Sequence, residues 1–289
     1  VQQQMMGWEN KSLDYVAVSG DYVTMYKDDP ALSISDLAGM FFLSFNMSDE
    51  TLANDNLRKA LSLSIDKQAI VDNILNNGSH AADYIIPAQF SLDSQGQTFR
   101  EHIGNPTYNS YNIEKAKEYW EKAKQELNSD NISIDLLYNE DSTLSSVCAF
   151  LGNKWQNAFP GLTINLMQTT YNNRLDLMGQ HHYQIGLTRW YADYQDPLTY
   201  MDMWISSSQM NYGCYSNEDY DALYKQVVGE LALNENARLE ALGNMENLIL
   251  NDAAICPLYQ VASCTLQNPD YNWVSTVAGF VLYKYTSFK

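Results

Sequence analysis

The chain has 289 residues, enough for one or two domains. Its 35 acidic and 17 basic residues give a formal net charge of −18, which repels phosphate backbones and anionic lipid surfaces, so the charge excludes nucleic acids and membrane surfaces as favoured partners. With 45% hydrophobic, 12% aromatic and 18% charged residues, the composition is that of a globular protein rather than a disordered one.

The pattern of the first 46 residues predicts extended segments. Apolar runs at 13–18 and 40–46 have the length of strands, and the second is interpreted as a strand that leads from one body of the protein into another. No stretch approaches the roughly 20 apolar residues of a membrane-spanning helix, and residues 2–4 lack the charge with which a signal peptide begins. A chain that starts at Val1 is therefore interpreted as a processed protein or as part of a longer one.

Helices are predicted at 54–77 and 112–127 from apolar residues at spacings of three and four. Gly78 is the predicted stop of the first. Polar side chains that can accept hydrogen bonds from free backbone N–H groups precede the predicted turns: Asn54 or Asp55, Asp66 and Asn112. The intervening residues 79–110 contain prolines and glycines and predict a long irregular segment.

From residue 132 onward, strands and helices alternate. Strands predicted at 132–138, 162–168 and 183–189 are separated by helices at 144–159 and 171–179. This alternation predicts parallel strands with right-handed crossovers, and therefore an α/β fold with a sheet flanked by helices. The remaining predictions are helices at 197–205, 217–231 and 234–251 and a strand at 256–261.

The four cysteines, Cys148, Cys214, Cys256 and Cys264, form no CxxC pair, so thioredoxin-like redox chemistry and zinc knuckles lack support. Two interpretations stay open. Four reduced thiols that pack as small hydrophobes are favoured over a disulfide between Cys256 and Cys264 across a hairpin. Cysteine usage therefore leaves the cellular compartment undetermined.

The loops after the predicted parallel strands are the expected ligand site, because ligands of open α/β sheets bind beyond the carboxyl ends of the strands. These loops are 139–142, 169–172 and 190–196. In the third loop Trp190 and Tyr194 flank Asp193. A carboxylate among aromatic rings suits an ammonium group, through a charge-assisted hydrogen bond and a cation–π attraction of roughly 0.5–2 kcal/mol. The alternative is that both rings are core and that Asp193 caps the next helix.

Catalytic and metal-binding patterns are weaker. Asp193 and Asp196 are candidates for the acid–base pair of an α/β glycosidase or esterase, but surface solvation or capping is favoured because three-residue spacing in a loop does not fix their separation. His181 and His182 are adjacent, point to opposite sides of a strand and cannot chelate one ion there. The patterns GxSxG, HExxH, GxxxxGK[ST] and GxGxxG are absent, so hydrolase, zincin, P-loop and dinucleotide-binding functions lack a motif.

Five segments in order resemble the C-terminal portion of the bacterial extracellular solute-binding proteins of the dipeptide/oligopeptide type (family 5), which serve ABC importers. The resemblance runs from about residue 13 to the end of the chain. It is carried by Phe45-Asn46 with residues 56–67 (NLRKALSLSIDK), and by residues 111–117 (YNIEKAK), 190–197 (WYADYQDP), 211–221 (NYGCYSNEDYD) and 253–259 (AAICPLY).

The resemblance implies a type II periplasmic-binding-protein-like fold, whose two lobes close on a ligand, and a chain that lacks the first ~200 or more residues of such a protein. On the family pattern, residues 47–255 form the far, ligand-binding lobe, while 1–46 and 256–289 carry hinge strands and remnants of the near lobe. It implies an oligopeptide receptor with no enzymatic activity and no cofactor. Such a receptor is extracytoplasmic, either periplasmic or a lipid-anchored lipoprotein, acts as a monomer and delivers its ligand to a membrane ABC permease.

In peptide-binding members, the aspartate of the segment that matches 190–197 takes the N-terminal ammonium of the ligand, and that role falls to Asp193. Tripeptide binders carry an arginine three residues before the tryptophan, where this chain has Leu187 and, next to the tryptophan, Arg189. Ligand length and class therefore stay open. Sugar oligomers are the alternative ligand, because 21 Tyr and 6 Trp offer stacking surfaces. The predicted ligand-binding residues are Asp193, Trp190, Arg189, Tyr171 and Asn139.

Overall fold

A mixed sheet of seven strands organises the chain in the computed structural model, which describes residues 2–276 and 281–289. The strands are β1 (Tyr15–Val18), β2 (Leu32–Phe45), β3 (His80–Ala81), β4 (Ile132–Asn139), β5 (Leu162–Thr169), β6 (Ile185–Tyr191) and β7 (Ile255–Gln267). Their order is β1-β7-β2-β6-β4-β5, and β3 pairs with β7. A separate two-stranded sheet joins β8 (Tyr271–Asn272) and β9 (Ser287–Phe288).

The parallel part of the sheet is the part that strand–helix alternation predicts. β4 pairs in parallel with β5 on one side and with β6 on the other, whereas β2 runs antiparallel to both β6 and β7. The α/β class with a mixed sheet flanked by helices is therefore confirmed. β2 joins the two parts, because its 14 residues pair with β7 along most of their length and with β6 over the second half.

Ten α-helices lie among the described residues 2–276 and 281–289. They are α1 (Gln2–Glu9), α2 (Asp21–Met25), α3 (Asp55–Leu63), α4 (Lys67–Ile70), α5 (Phe99–Ile103), α6 (Ile113–Leu127), α7 (Ser142–Ala158), α8 (Tyr171–Gly179), α9 (Glu218–Val228) and α10 (Glu235–Asn251). The predicted caps are confirmed where the side chain accepts a backbone N–H: Asn54 for α3, Asp66 for α4 and Asn112 for α6.

Two apolar cores lie on opposite faces of the sheet, because side chains alternate along β2. Phe41, Leu43 and Phe45 join the core beneath α3, α6 and α7. Met40 and Phe42 join the second core, with residues of α9 and α10. Each face of β2 is thus covered by helices, which explains a strand whose second half is apolar at nearly every position.

The prediction that residues 1–46 are all extended is wrong at two places. Helix α1 begins at Gln2 and buries Met5 against a small cluster with Val16, Val18 and Leu266. Helix α2 follows β1. Glutamine and methionine favour helix, and tertiary burial of one apolar side chain is enough to hold a short helix that has no strong periodicity of its own.

Residues 79–110 are mostly irregular, as predicted, but they contain β3 and α5. The missed helix α5 has a sequence signal, since Thr98 and Glu101 form a capping box. The predicted stop at Gly78 is also wrong. The last turn of that helical segment, Val71–Leu75, is a π-helix that ends at Asn76, whose φ of 38° is left-handed.

Two further predictions need correction. The helix predicted at 197–205 is a pair of short 3₁₀ helices, Pro197–Tyr200 and Asp202–Trp204, because the Tyr200 hydroxyl donates to the carbonyl oxygen of Ala38 and anchors the segment to β2. Cys256 and Cys264 lie in the same strand, so they cannot pair across a hairpin. All four cysteines are free thiols, and all but Cys214 are buried.

Candidate ligand-binding site

A pocket of about 280 Å³ opens on the sheet face that carries α8. Phe42 of β2 and Thr188 of β6 form its floor, and α8 forms one wall. Gly186 lets α8 approach closely, since an added Cβ would lie 2.8 Å from Cε of Met178. The other lining residues are Ser44, Tyr171, Arg174, Leu175, Met178, Arg189, Trp190, Tyr191, Asp193, Met203, Trp204, Met210 and Tyr212.

Four of the five predicted ligand-binding residues line this pocket: Tyr171, Arg189, Trp190 and Asp193. The fifth, Asn139, lies at the carboxyl end of β4 opposite Thr169 and is not among the lining residues. The strand-end rule thus brings two of the three expected loops to the pocket and leaves the loop after β4 outside its wall.

The loop after β6 holds Asp193 in place through its backbone. The Thr199 hydroxyl accepts the Trp190 Nε1–H at 3.4 Å and the Asp193 backbone N–H at 3.3 Å. The Asp193 carboxylate is exposed, and within residues 2–276 and 281–289 it has no hydrogen-bond or ion-pair partner. A fixed, unpaired carboxylate beside an indole ring is suited to a cationic group of a ligand.

Asp196, three residues later, is fully engaged. One of its oxygens accepts the backbone N–H of Leu198 at 2.9 Å and caps the 3₁₀ helix. Both oxygens accept from Arg238, at 2.8 and 2.9 Å. The alternative in which Asp193 caps the next helix is therefore wrong, because Asp196 is the cap. The pairing with Arg238 also removes Asp196 as a free partner for acid–base chemistry.

The rings around Asp193 differ in burial. Trp190 is half-buried and packs against the second core. Tyr194 is 46% exposed and donates its hydroxyl to Asp202 at 3.3 Å, so the alternative that makes it a core residue is wrong. Burial raises the pKa of Asp202, and the negative charge of Asp193 raises it further. A cation bound at Asp193 would remove that repulsion.

Arg189 extends from the end of β6 over three aromatic rings. Its guanidinium carbon lies 5.7 Å from the ring centres of Phe41 and Tyr171 and 6.0 Å from that of Tyr191. Leu187, two residues earlier on the same strand, is completely buried in the first core. The position at which tripeptide binders carry an arginine is therefore core in this chain, and Arg189 is the nearby exposed cation.

Arg174 is a charged pocket residue that sequence reasoning missed. It is 2% exposed, and its Nη1 donates to the Thr188 hydroxyl at 2.8 Å. Burial lowers its pKa. The signal that could have found it is its position on α8, since Tyr171, Arg174 and Met178 share one helical face at spacings of three and four. A charged residue on such an apolar face is unusual.

The histidine pair does not build a metal site. His181 Nδ1 lies 2.9 Å from the carbonyl oxygen of Tyr212 and 3.3 Å from Sγ of Cys214. In the described part of the chain, no three His, Cys, Asp or Glu side chains come together closely enough to hold a metal ion. Across the same residues, no helix has the length and apolar character needed to cross a membrane.

The family model for bacterial extracellular solute-binding proteins, family 5 Middle, matches residues 2–212. Among curated proteins, the chain is 27% identical over 262 residues to the dipeptide-binding protein DppE of Bacillus subtilis and 25% identical over 255 residues to the oligopeptide-binding protein OppA of the same organism. These matches cover 90% and 86% of this chain but 47% and 45% of the relatives. The chain therefore spans about half the length of the curated relatives it matches.

Solved structures confirm the type II periplasmic-binding-protein-like fold. The substrate-binding domain of an oligopeptide ABC transporter from Bacillus anthracis superposes with a TM-score of 0.88 at 29% identity, over 99% of this chain and 57% of that one. OppA of Listeria monocytogenes bound to peptide gives a TM-score of 0.84 at 27% identity, over 98% of this chain and 55% of that one. A peptide-binding protein of a peptide ABC transporter, 31% identical with a TM-score of 0.72, is covered over 99% of its own length and 79% of this chain.

Proposed function

Because the chain belongs to the bacterial extracellular solute-binding proteins of family 5, we propose that it is the ligand-binding half of an oligopeptide receptor that serves an ABC importer. The names of its relatives support peptides as the ligand class. On this proposal, residues 47–255 are the far lobe, and 1–46 and 256–289 carry the hinge strands and remnants of a near lobe. Closure of the two lobes would bury the peptide and present both lobes to a membrane permease.

The observation that carries the proposal is the Asp193 carboxylate, which lines an aromatic pocket and has no partner within residues 2–276 and 281–289. Its backbone N–H donates to the Thr199 hydroxyl, which positions the residue in the loop after β6. We assign to it the N-terminal ammonium of the peptide. Trp190 and Tyr171 supply apolar surface for the adjacent peptide groups, and Arg189 supplies a cation. Asn139, which lies outside the pocket wall, is kept as a residue that a longer ligand would reach.

The test is calorimetry with short peptides whose N-terminus is free or acetylated, on the chain as printed and on the chain joined to any coding sequence that precedes it. Truncating one partner of a buried charge pair costs about 2–5 kcal/mol, so Asp193→Ala is expected to weaken binding of the free peptides by roughly 30-fold or more. Glu118→Ala, an exposed carboxylate on α6, is the matched control and should leave binding unchanged. Equal affinity of the wild-type protein for free and acetylated peptides would contradict the proposal that Asp193 binds the N-terminal ammonium group.

Sugar oligomers are the second candidate ligand. Tyr171, Tyr191, Tyr212, Trp190 and Trp204 all line the pocket, and aromatic rings of this kind also stack on sugar rings. Tryptophan fluorescence titrated with cello- and xylo-oligosaccharides separates the two proposals, since a saturable change with sugars and none with peptides would favour the sugar receptor.

We also propose that the protein is a receptor and not an enzyme. Its relatives are named as binding proteins. An α/β glycosidase or esterase that used Asp193 and Asp196 would need both carboxylates, and Asp196 is held by Arg238 in a two-point ion pair. Turnover of chromogenic sugars or esters that either substitution abolished would overturn this proposal.

Family members are extracellular, and for this protein we propose an extracytoplasmic receptor, periplasmic or lipid-anchored at the surface of a Gram-positive cell. We propose that it acts as a monomer and needs no cofactor to bind its ligand. Membrane fractionation of the source cells, with and without inhibition of lipoprotein maturation, tests the anchor. Light scattering of the purified protein tests the monomer.

A further inference from the structure

Another depression, of about 390 Å³, lies at the amino end of α6. The loop 107–112 that leads into this helix lines it, together with residues of α3, α6 and the end of α10. None of its lining residues lines the pocket that carries Asp193. The proposed peptide receptor therefore gives this depression no task.

The loop 107–112 is held by hydrogen bonds to two helices. The buried Lys67 ammonium of α4 donates to the carbonyl oxygen of Asn109 at 2.9 Å. The backbone N–H of Asn112 donates to the carbonyl oxygen of Leu63, the last residue of α3, at 2.8 Å. The side chains of this loop are thus positioned by the fold before any ligand arrives.

Asn109 carries a buried polar group without a partner. The residue is 1% exposed, and its Nδ2 makes no hydrogen bond within residues 2–276 and 281–289. A buried amide that lacks a hydrogen bond destabilises the folded state, and the large majority of such groups in native proteins are satisfied. Asn109 lines the depression, so a ligand that accepts hydrogen bonds there would satisfy the amide.

Lysines add positive charge to the same depression. The ammonium nitrogens of Lys59 and Lys115 lie 6.0 and 5.8 Å from the ring centre of Tyr119, and all three residues line the depression. Lys59 pairs with Asp55 at 2.7 Å, whereas Lys115 has no ion-pair partner within residues 2–276 and 281–289. The depression therefore offers one unpaired ammonium beside a second one that is shared.

The local potential favours an anion although the whole chain is acidic. The free N–H groups in the first turn of α6 carry partial positive charge, and the carboxylate of Glu114 in that turn pairs with Lys117 at 3.3 Å. The net charge of −18 is spread over the whole chain, and at physiological ionic strength charges are screened beyond about 8 Å. The lysines and the helix end thus dominate the potential that a small ion meets in the depression.

We propose that this depression binds the phosphate group of a small phosphate ester. A phosphate group accepts hydrogen bonds from several directions, which suits an amide, an ammonium and a helix amino end that belong to different segments. Tyr108 and Tyr111 line the depression and are 45% and 53% exposed, so their rings offer apolar faces to the organic part of the ester. Thr107 and Asn251 supply polar atoms for its hydroxyl groups, as in a glycerol or sugar phosphate.

The test titrates the protein in a calorimeter with glycerol 3-phosphate, inorganic phosphate, glycerol and succinate, and sediments it with vesicles of phosphatidylglycerol. The same measurements are made on Lys115→Met, on Asn109→Ala and on the control Lys154→Met, which removes an exposed cation from α7. Because the depression shares no lining residue with the peptide pocket, all three variants should keep the peptide affinity of the wild type. Failure of the peptide receptor would leave this test unaffected.

Wild-type protein and Lys154→Met should bind glycerol 3-phosphate saturably, and glycerol and succinate at least about tenfold more weakly. Lys115→Met and Asn109→Ala should each weaken binding of the ester by about fivefold or more, because each removes a donor to the phosphate. No saturable binding of the ester up to about 10 mM, or an unchanged affinity in Lys115→Met, would overturn the site. Equal affinity for inorganic phosphate would overturn the role of the tyrosines, and equal affinity for succinate would overturn phosphate as the ligand group.

The vesicles separate a free ester from a lipid headgroup, which present the same phosphate chemistry. Binding of glycerol 3-phosphate without sedimentation on vesicles is expected, since the net charge of −18 repels an anionic surface, and it assigns the site to a free ester. Sedimentation that Lys115→Met abolishes would support the phosphate site and assign it to a lipid headgroup.

Stability shows whether Asn109 serves a ligand or the fold. Asn109→Ala removes an amide whose Nδ2 has no partner within residues 2–276 and 281–289, so urea unfolding should give a folding equilibrium constant within about fivefold of the wild type. A larger decrease would show that Asn109 serves the fold and would overturn its assignment to the ligand.

Discussion

Asp193 and Asp196 are three residues apart in one loop, but their carboxylates differ in whether they are paired within the fold. Asp196 caps a 3₁₀ helix and pairs with Arg238, whereas Asp193 has no side-chain partner within residues 2–276 and 281–289. Replacing each with alanine should therefore change a different property of the protein. Asp196→Ala should destabilise the fold, and Asp193→Ala should leave stability unchanged while it impairs ligand binding.

The magnitude for Asp196 follows from its contacts. Loss of a capping side chain costs about 1 kcal/mol. A two-point ion pair between side chains that are 18% and 33% exposed contributes about 1 kcal/mol, the upper end of the range for surface pairs. Asp196→Ala should thus lower the free energy of unfolding by about 2 kcal/mol. Asp196→Asn should lose about half as much, because asparagine caps as well as aspartate.

Urea unfolding followed by tryptophan fluorescence measures both variants. The midpoint should fall for Asp196→Ala at an unchanged slope, and Asp193→Ala should stay within about 0.5 kcal/mol of the wild type. A double-mutant cycle with Arg238→Met should recover a coupling free energy of about 1 kcal/mol for the ion pair. Equal losses for both aspartates, or no coupling to Arg238, would refute the assignment of the two carboxylates.

Three further outcomes follow from the same contacts. Arg58→Met should lower the free energy of unfolding by about 3 kcal/mol or more, since it leaves four carbonyl oxygens, two in buried and two in part-buried hydrogen bonds, without their donor. Thermal denaturation checks this, and a loss below about 1 kcal/mol would contradict it. Asp193→Asn should lower the pKa of Asp202, because it removes a negative charge that raises this pKa. A carboxyl whose pKa is raised in the folded protein stabilises the folded state as pH falls, so the variant should gain less stability at acidic pH than the wild type. Carbon NMR titration measures the pKa of Asp202, and an unchanged value would contradict the coupling. In native protein a thiol reagent should modify Cys214 first, because the other three cysteines are buried and burial raises the pKa of Cys264 to about 11; faster modification of a buried thiol would count against the packing.

The sequence predicted most of the regular structure because the signals are local. Caps such as Asn54 and Asn112 bond to residues three positions away, and strand–helix alternation between 132 and 189 is enough to specify parallel strands. The same local rules placed Asp193 and Trp190 at a strand end, where ligands bind in α/β sheets. The resemblance to family 5 rested on short segments in order, which also need no tertiary structure.

Only the tertiary structure decided which charged side chains are free. Asp196 is engaged because Arg238, 42 residues away in sequence, reaches it from α10. Within residues 2–276 and 281–289, the Nε of the buried Arg174 has no hydrogen-bond partner, and no spacing in the sequence reveals an absent partner. Burial and pairing depend on contacts between distant segments, so the composition and periodicity that determined the fold class could not separate a charged side chain that is paired within the fold from one that is not.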